Sequence, residues 1–313
     1  MKPFLIPTAQ SEVICMKSST TSALERRNAK YFYIFISPWL LGFIVLTVYP
    51  MIRSLTLGFT DSGYTGDGSF IGFQNFITAF YEDTRFWITI KNTLFYVLMF
   101  VPSSLIIGFF IGWLLSRKIR GLGFFRTVFY IPYITAGVAV TIMWGWLFNG
   151  SFGLINYSLS LLGITGPNWL GDKHTALVCI VVMNLWSIGN NILIMLAGIQ
   201  DIPVSYFESA EIDGASTTRQ VFTITIPLCT PTIFFNLVVS TIFAFQLFNQ
   251  PYILTDGGPV DSTRTVAMLI FQNAFEYGKM GYASCVAWCL FILIMAVTLL
   301  VHLSSKKWVF YDN

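Results

Sequence analysis

Six separate stretches of this 313-residue chain are long and apolar enough to cross a lipid bilayer as helices. A helix needs about 20 apolar residues to span the hydrocarbon core, because every backbone amide there must be bonded within its own segment. The sequence therefore predicts an all-α polytopic membrane protein with six transmembrane helices. The predicted spans are residues 31–52, 90–115, 125–148, 176–199, 230–249 and 281–303.

The composition excludes several other classes of protein. Hydrophobic residues make up 55% of the chain and charged residues only 11%, too few to cover a soluble globule. The formal net charge is +3, and no basic block could follow a phosphate backbone, so nucleic acid is not an expected partner. The five cysteines show neither C-x-x-C spacing nor a neighbouring histidine. We therefore expect no disulfide framework, metal site or cofactor. From the apolar composition we expect membrane lipid around the chain.

The lysines and arginines predict the orientation of the chain in the membrane. If the N-terminus is cytoplasmic, two thirds of the 18 basic residues fall on cytoplasmic segments, as the positive-inside rule requires. We therefore expect both termini in the cytoplasm, with a tail at 1–30, a six-helix membrane domain at 31–305 and a second tail at 306–313. Met16 is a second possible start of translation, and the sequence leaves both starts open.

The predicted cytoplasmic loop at 200–228 differs from the other loops in its helix signals. Pro203 and Ser205 predict the start of a helix, which places Glu208 in its first turn, where a carboxylate interacts well with the helix dipole. Gly214 predicts the end of that helix. The loop is therefore expected to form two short helices lying across the cytoplasmic face.

This loop is also acidic, with four carboxylates against a single base, Arg219. An acidic loop is not attracted to anionic lipid, so the positive-inside pattern does not explain it. A protein partner with a basic cleft would explain it. The alternative is an amphipathic elbow that rests on the bilayer, and the physical argument alone leaves both open.

Ionisable residues inside a membrane usually mark transport pathways, and none lies at mid-depth in the predicted spans. This argues against a proton- or sodium-coupled carrier. Uncharged amides do cluster, at 184–191 and 243–250, beside aromatic residues. Amides that donate and accept hydrogen bonds, together with aromatic faces, are typical of sugar sites. The alternative is that the amides join helices, each contributing about 0.6 to 2 kcal/mol. The residues concerned are Asn184, Trp186, Asn191, Phe245, Gln246 and Asn249.

Several motifs resemble the permease subunits of binding-protein-dependent ABC importers. Glu208, Ser209, Ala210 and Gly214, followed after nine residues by ITIP at 224–227, match the signature E-A-A-x-x-x-G-x(9)-I-x-L-P with two conservative replacements. Further matches place the chain in the carbohydrate branch, near the maltose-transporter F and glycerol-3-phosphate-transporter A permeases. These are FIGFQNF at 70–76, KNTLFY at 91–96, FRTVFYIPYI at 125–134 and ILTDGGP at 253–259.

The resemblance implies a type I ABC importer permease fold and a role for each motif. The E-A-A segment of the family is a coupling helix seated in a cleft of the ATPase, where its glutamate meets a basic residue. The implied ATPase-coupling residues are Glu208, Ser209, Ala210, Asp213 and Gly214. The implied substrate path consists of Asn184, Gly189, Asn191, Phe245, Gln246 and Asn249, of which Gly189 and Asn191 align only with a one-residue gap.

The resemblance also implies the function and the partners. The chain would be the permease of an ATP-driven sugar uptake system in the bacterial plasma membrane, with an oligosaccharide as the expected substrate and no bond chemistry of its own. The implied partners are a second homologous permease, two ATP-binding subunits and an extracytoplasmic sugar-binding protein. The sequence does not name the sugar.

Three other classes of membrane protein are alternatives to this interpretation. A membrane enzyme of lipid or polysaccharide metabolism would need a catalytic cluster, yet His174 and His302, the only histidines, fall on opposite sides of the membrane in the predicted topology. The others are a secondary carrier and a scaffold or receptor component. ATP-dependent uptake separates the importer from all three.

Overall fold

A computed structural model describes residues 10–66, 68–117, 120–135 and 137–310, with backbone alone for residues 10–24 and Arg26. The described secondary structure is helical apart from one isolated antiparallel bridge between Thr60 and Phe70, so the all-α prediction is confirmed. The helices are α1 Gln10–Phe43, α2 Tyr49–Leu57, α3 Gln74–Ile77, α4 Thr84–Ser116, α5 Leu122–Ile134, α6 Gly137–Leu147, α7 Leu154–Leu161, α8 Ala176–Trp186, α9 Gly189–Gln200, α10 Val204–Ile212, α11 Thr217–Gln220, α12 Ile226–Leu228, α13 Thr230–Phe245, α14 Asn249–Thr255, α15 Val266–Phe271 and α16 Met280–Ser305. Four π-helical turns, Ile44–Val48, Thr78–Glu82, Val221–Thr225 and Gln272–Glu276, extend neighbouring helices.

The chain divides into two units, and the first ends at Thr56. Here α1 continues through a π-helical turn into α2, and the stretch Arg27–Leu57 is long and apolar enough to cross a membrane. Its described side chains are exposed or half-buried, as a helix in contact with lipid requires. The predicted tail 1–30 is helical from Gln10, and its residues 1–9 lie outside the described part of the chain.

The second unit, from Leu57 onward, contains two more uninterrupted helices that can cross a membrane, α4 and α16. The start of α4 is capped by Asp83, whose carboxylate accepts a hydrogen bond of 2.9 Å from the backbone N–H of Arg85. Such a cap satisfies one of the N–H groups that begin a helix without a partner. These helices agree with the predicted spans at 90–115 and 281–303 and extend beyond them.

The other three predicted spans are not single helices. In place of span 125–148 the chain forms α5 and α6, since the backbone becomes extended at Thr135 (φ −71°, ψ 142°). Span 176–199 consists of α8 and α9, which bend by 49° after Trp186. Span 230–249 is represented by the shorter helix α13, which ends at Phe245, and the helical stretch Thr217–Leu228 before it bends by 65° into α13. With each bent pair counted as one crossing, the described residues form up to six spans.

Small residues on α4 allow it to pack closely against α9. A Cβ atom added at Gly112 would lie 3.1 Å from the backbone nitrogen of Leu196, so only glycine fits this contact without a shift. Close approach through small residues is a usual way for helices to associate in membranes.

Side chains from α4, α8, α13, α15 and α16 form the main apolar core. Its buried members include Phe86, Tyr96, Ile180, Phe245, Leu269, Tyr282 and Val286.

Candidate functional site

The segment from α10 to α12, Val204–Leu228, contains the first group of predicted site residues. It consists of α10 and a second, continuous helical stretch from α11 to α12, and the two are separated by a turn at Gly214, which has a positive φ of 72°. The N–H of Ala215 donates to the carbonyl of Ala210 at 2.8 Å, and the N–H of Gly214 donates to that of Glu211 at 3.0 Å. This is the Schellman arrangement, which needs glycine at the left-handed position. The predicted helix end at Gly214 is confirmed.

The α10–α12 segment is anchored to the ends of the long helices. Phe207 packs against an apolar cluster that includes Ile202 and Cys229, both buried, together with Trp113 of α4. The side-chain amide of Gln220 donates to the carbonyl of Ala215 at 3.2 Å and ties the second short helix back to the turn. The segment is therefore packed against α4, α9 and α13.

The opposite face of α10 is exposed and acidic. Glu208, Ser209 and Asp213 are exposed, while Ala210 is half-buried. The ion pair found among the described residues is Arg264–Asp261, so these carboxylates have no cationic partner within the described chain. An acidic face with no internal partner is the arrangement that a basic partner surface requires.

The position of Glu208 within its helix differs from the prediction. The helix begins at Val204, after Pro203, which makes no side-chain cap, and no acidic residue lies in its first turn. Glu208 is the fifth residue of α10, so the helix dipole does not stabilise its charge as expected.

The sequence reasoning missed the exposed residue Ile212. Ile212 is 87% exposed at the end of α10, so its side chain is available for an apolar contact.

The break between α8 and α9, at residues 187–188, contains the second group of predicted residues. Asn184 lies one turn before the break, and its amide donates a hydrogen bond of 3.0 Å to the hydroxyl of Tyr96 on α4. Gly189 opens α9 and is buried, and a Cβ atom there would clash with the carbonyl oxygen of Phe129 on α5. Gly189 therefore permits close packing of two helices and presents no side chain to a substrate.

Asn191 also makes a bond between helices. Its amide donates to the hydroxyl of Ser240 on α13 at 3.0 Å. Asn184 and Asn191 thus both form hydrogen bonds that join helices. This agrees with the alternative interpretation of the amides. Their predicted contact with a substrate stays a prediction.

A second break, at residues 246–248 between α13 and α14, exposes two amides. Gln246 and Asn249 are both exposed, and neither side chain hydrogen-bonds to another residue in the described part of the chain. Pro251 explains the break, because proline has no N–H for the carbonyl of Leu247, four residues earlier, and its ring would clash with that carbonyl in a continuous helix. We call residues 246–248 the Gln246 break.

Phe245 does not share this exposure. Its side chain is fully buried in the main apolar core, and Leu247, which is 7% exposed, packs in the same cluster. The aromatic ring predicted to face a sugar therefore faces the protein interior, because it is the last residue of α13 and points to the packed side. Of the six predicted path residues, Gln246 and Asn249 alone offer a free polar side chain here.

A family model described as binding-protein-dependent transport system inner membrane component matches residues 91–309. The chain is 41% identical over 285 residues to the probable ABC transporter permease protein YesP of Bacillus subtilis, covering 90% of this chain and 92% of that protein. It is 30% identical to the trehalose/maltose transport system permease protein MalF of Thermococcus litoralis, covering 91% and 96%. It is also 30% identical to the arabinooligosaccharides transport system permease protein AraP of Bacillus subtilis, covering 96% of each.

The fold has a close counterpart among solved structures. A chain of a bacterial ABC transporter involved in the import of the acidic polysaccharide alginate superposes with a TM-score of 0.78 at 22% identity, covering 92% of this chain and 99% of that one. The predicted importer permease fold is confirmed.

Proposed function

The chain belongs to the family of binding-protein-dependent transport system inner membrane components, and from this membership we propose that it forms the translocation path for an oligosaccharide. It is a multi-pass membrane permease subunit of an ABC transporter, not an enzyme. The observation that carries the proposal is the Gln246 break, where a helix interruption leaves the amides of Gln246 and Asn249 free.

Amides are suited to a neutral sugar. Each can donate to one hydroxyl and accept from another, which matches the alternating donors and acceptors around a sugar ring. Relatives named for trehalose/maltose and for arabinooligosaccharides support this substrate class. No charged side chain lies beside the free amides in the sequence 245–250. This favours an uncharged substrate.

The α10–α12 segment is proposed to dock on an ATP-binding subunit. Glu208 supplies the charge for a basic residue of that partner, Ala210 allows close packing, and Gly214 fixes the angle between the two short helices. Ile212, which is exposed at the end of α10, can add an apolar contact to that partner. Ser209 and Asp213 lie at the same exposed surface.

The helix α13 provides the physical connection between the two sites. It starts next to Cys229 in the cluster that anchors the α10–α12 segment, and it ends at Phe245, directly before the Gln246 break. Its 16 residues span about 24 Å at 1.5 Å per residue. A rigid-body shift of the docked segment would therefore change the position of the break, and ATP would bias the helices between two packings.

The complete transporter is proposed to contain this chain, a second homologous permease, two ATP-binding subunits and an extracytoplasmic sugar-binding protein. The chain is placed in the bacterial plasma membrane with both termini in the cytoplasm. Within it, residues 31–305 form the membrane domain, 1–30 and 306–313 the tails, and 200–228 the coupling loop. Translation from Met16 would shorten only the first tail.

The docking part of the proposal is tested by co-purification. The full transporter is isolated in mild detergent through a tag on this chain, with Glu208→Lys or with the same charge reversal at Asp172, an exposed carboxylate on the predicted outer side. We expect Glu208→Lys to reduce recovery of the ATP-binding subunits at least tenfold and Asp172→Lys to leave it unchanged. Equal recovery from both variants would contradict docking through Glu208.

A further inference from the structure

The carbonyl of Leu247 lies at the Gln246 break, between α13 and α14, and lacks the donor that a continuous helix would supply. In a continuous helix it would accept from the N–H of residue 251, but residue 251 is proline and has none. Leu247 is only 7% exposed, so little of it is accessible to water. A buried carbonyl without a donor costs free energy comparable to a lost hydrogen bond.

The missing donor comes from Thr265, eighteen residues further along the chain. Its hydroxyl donates to the carbonyl of Leu247 at 2.7 Å, and Thr265 is fully buried. The same hydroxyl accepts from the N–H of Met268 at 3.3 Å and so caps α15. One side chain therefore links the break in the α13–α14 pair to the start of the following helix.

The loop that carries Thr265 is itself held against α4. The amide of Asn92 donates to the carbonyl of Asp261 at 2.7 Å and to that of Arg264 at 3.0 Å. On the next residue of α4, the fully buried hydroxyl of Thr93 accepts from the N–H of Val266 at 3.1 Å. These bonds fix the loop on both sides of Thr265, so that its hydroxyl has a set position relative to α4.

We propose that Thr265 is a positioning residue that fixes the geometry of the Gln246 break and thereby aims Gln246 and Asn249. The bond to Leu247 replaces the helical bond that Pro251 removes, and the loop clamped by Asn92 ties the break to α4. The relevance of this geometry to sugar rests on the proposed function. The alternative is that Thr265 only caps α15 and that the break keeps its geometry without the bond from Thr265 to Leu247.

Four variants separate these two interpretations. Thr265→Val keeps the shape and loses both hydrogen bonds, whereas Thr265→Ser keeps both. Thr263→Val is the matched control, because Thr263 is equally buried in the same loop, and its hydroxyl bonds to the carbonyl of Gly258 and to the hydroxyl of Thr255 at the end of α14, but to no residue of the break. Thr265→Ala is a second variant that adds no bulk, for use if the valine variant does not accumulate.

The measurement is amide hydrogen exchange of the intact transporter in nanodiscs, followed on peptides that cover residues 244–252. We expect Thr265→Val or Thr265→Ala to speed exchange there at least tenfold, with Thr265→Ser and Thr263→Val within twofold of the wild type. Unchanged exchange in the valine and alanine variants would overturn the proposal. So would equal acceleration by Thr263→Val, which would indicate general loosening of the loop.

Sugar uptake by the same variants keeps this inference distinct from the proposed function. We expect Thr265→Val to raise the KM for sugar several-fold with little change in the amount of assembled transporter, and Thr265→Ser to restore it. Accelerated exchange at the break with an unchanged KM would support the role of Thr265 at the break and count against the proposed path past Gln246.

Discussion

The amide of Asn191 donates a hydrogen bond of 3.0 Å to the hydroxyl of Ser240, and this bond joins α9 to α13. Asn191 follows the break at 187–188 by three residues, while Ser240 is the eleventh of the sixteen residues of the helix that leads to the Gln246 break. The bond therefore links the two interrupted helices near whose breaks the predicted path residues lie. An amide engaged in this way has a structural role that can be measured separately from transport.

Asn191→Ala is expected to lower stability more than substrate affinity. Loss of one bond between membrane helices costs about 0.6 to 2 kcal/mol. The variant should melt at a lower temperature in detergent and retain its KM for sugar. Ser240→Ala should have an effect of similar size, and the double variant should not add the two losses, because both remove the same bond. A large rise in KM without loss of stability would instead place Asn191 in the path.

Gln246→Ala and Asn249→Ala are expected to impair transport with assembly intact. Both side chains are exposed and make no hydrogen bond to another described residue, so their removal leaves no internal group unpaired. A lost hydrogen bond to a sugar is worth about 0.5 to 1.5 kcal/mol, which corresponds to a rise in KM of roughly two- to tenfold per residue. Uptake kinetics and the yield of purified transporter measure the two effects. Reduced yield with a normal KM would identify these amides as helix contacts.

Substitution of Gly214 is expected to disturb coupling according to the backbone angle that the new residue tolerates. A β-branched residue at φ 72° is strained by roughly 1 to 2 kcal/mol, whereas asparagine adopts this region readily. Gly214→Val should therefore weaken sugar-stimulated ATP hydrolysis strongly, and Gly214→Asn should retain most of it. Space is not the cause, because no atom lies within 4 Å of an added Cβ atom. Equal activity of the two variants would contradict a role for the Schellman turn.

Two glycines of α4 should respond differently to alanine. At Gly112 an added Cβ atom would lie 3.1 Å from the Cβ of Met195 and 3.2 Å from the carbonyl of Ile192, so overpacking should cost about 1 to 3 kcal/mol. At Gly108 the nearest atom would be 3.5 Å away, an ordinary contact. Gly108→Ala should be neutral or slightly stabilising in thermal melting, and Gly112→Ala destabilising. The reverse order would show that α4 and α9 do not pack as described.

The sequence predicted the parts of this structure that depend on local composition. Apolar length located the membrane helices, and Gly214 marked the end of α10 because few other residues adopt a left-handed backbone. The breaks were missed, although Pro251 contains the signal for one of them. A proline near the end of an apolar run leaves the carbonyl four residues earlier without a donor, and this loss predicts a break in the helix.

The directions of side chains could not be predicted from composition. Phe245 and Gln246 are adjacent, yet one is fully buried and the other exposed, because α13 ends between them. Asn184 and Gln246 are both amides near a helix break, but a tyrosine hydroxyl from a distant segment engages only the first. Such differences depend on tertiary contacts that residue spacing does not contain.

This permease is proposed to move an oligosaccharide with energy from ATP bound by its partners. The most direct test is uptake of a radiolabelled neutral oligosaccharide into proteoliposomes that contain the whole transporter, with ATP inside and the loaded binding protein outside. We predict uptake that requires both, and that falls severalfold at limiting sugar when Gln246 and Asn249 are both replaced by alanine. Uptake that continues without ATP would contradict the account.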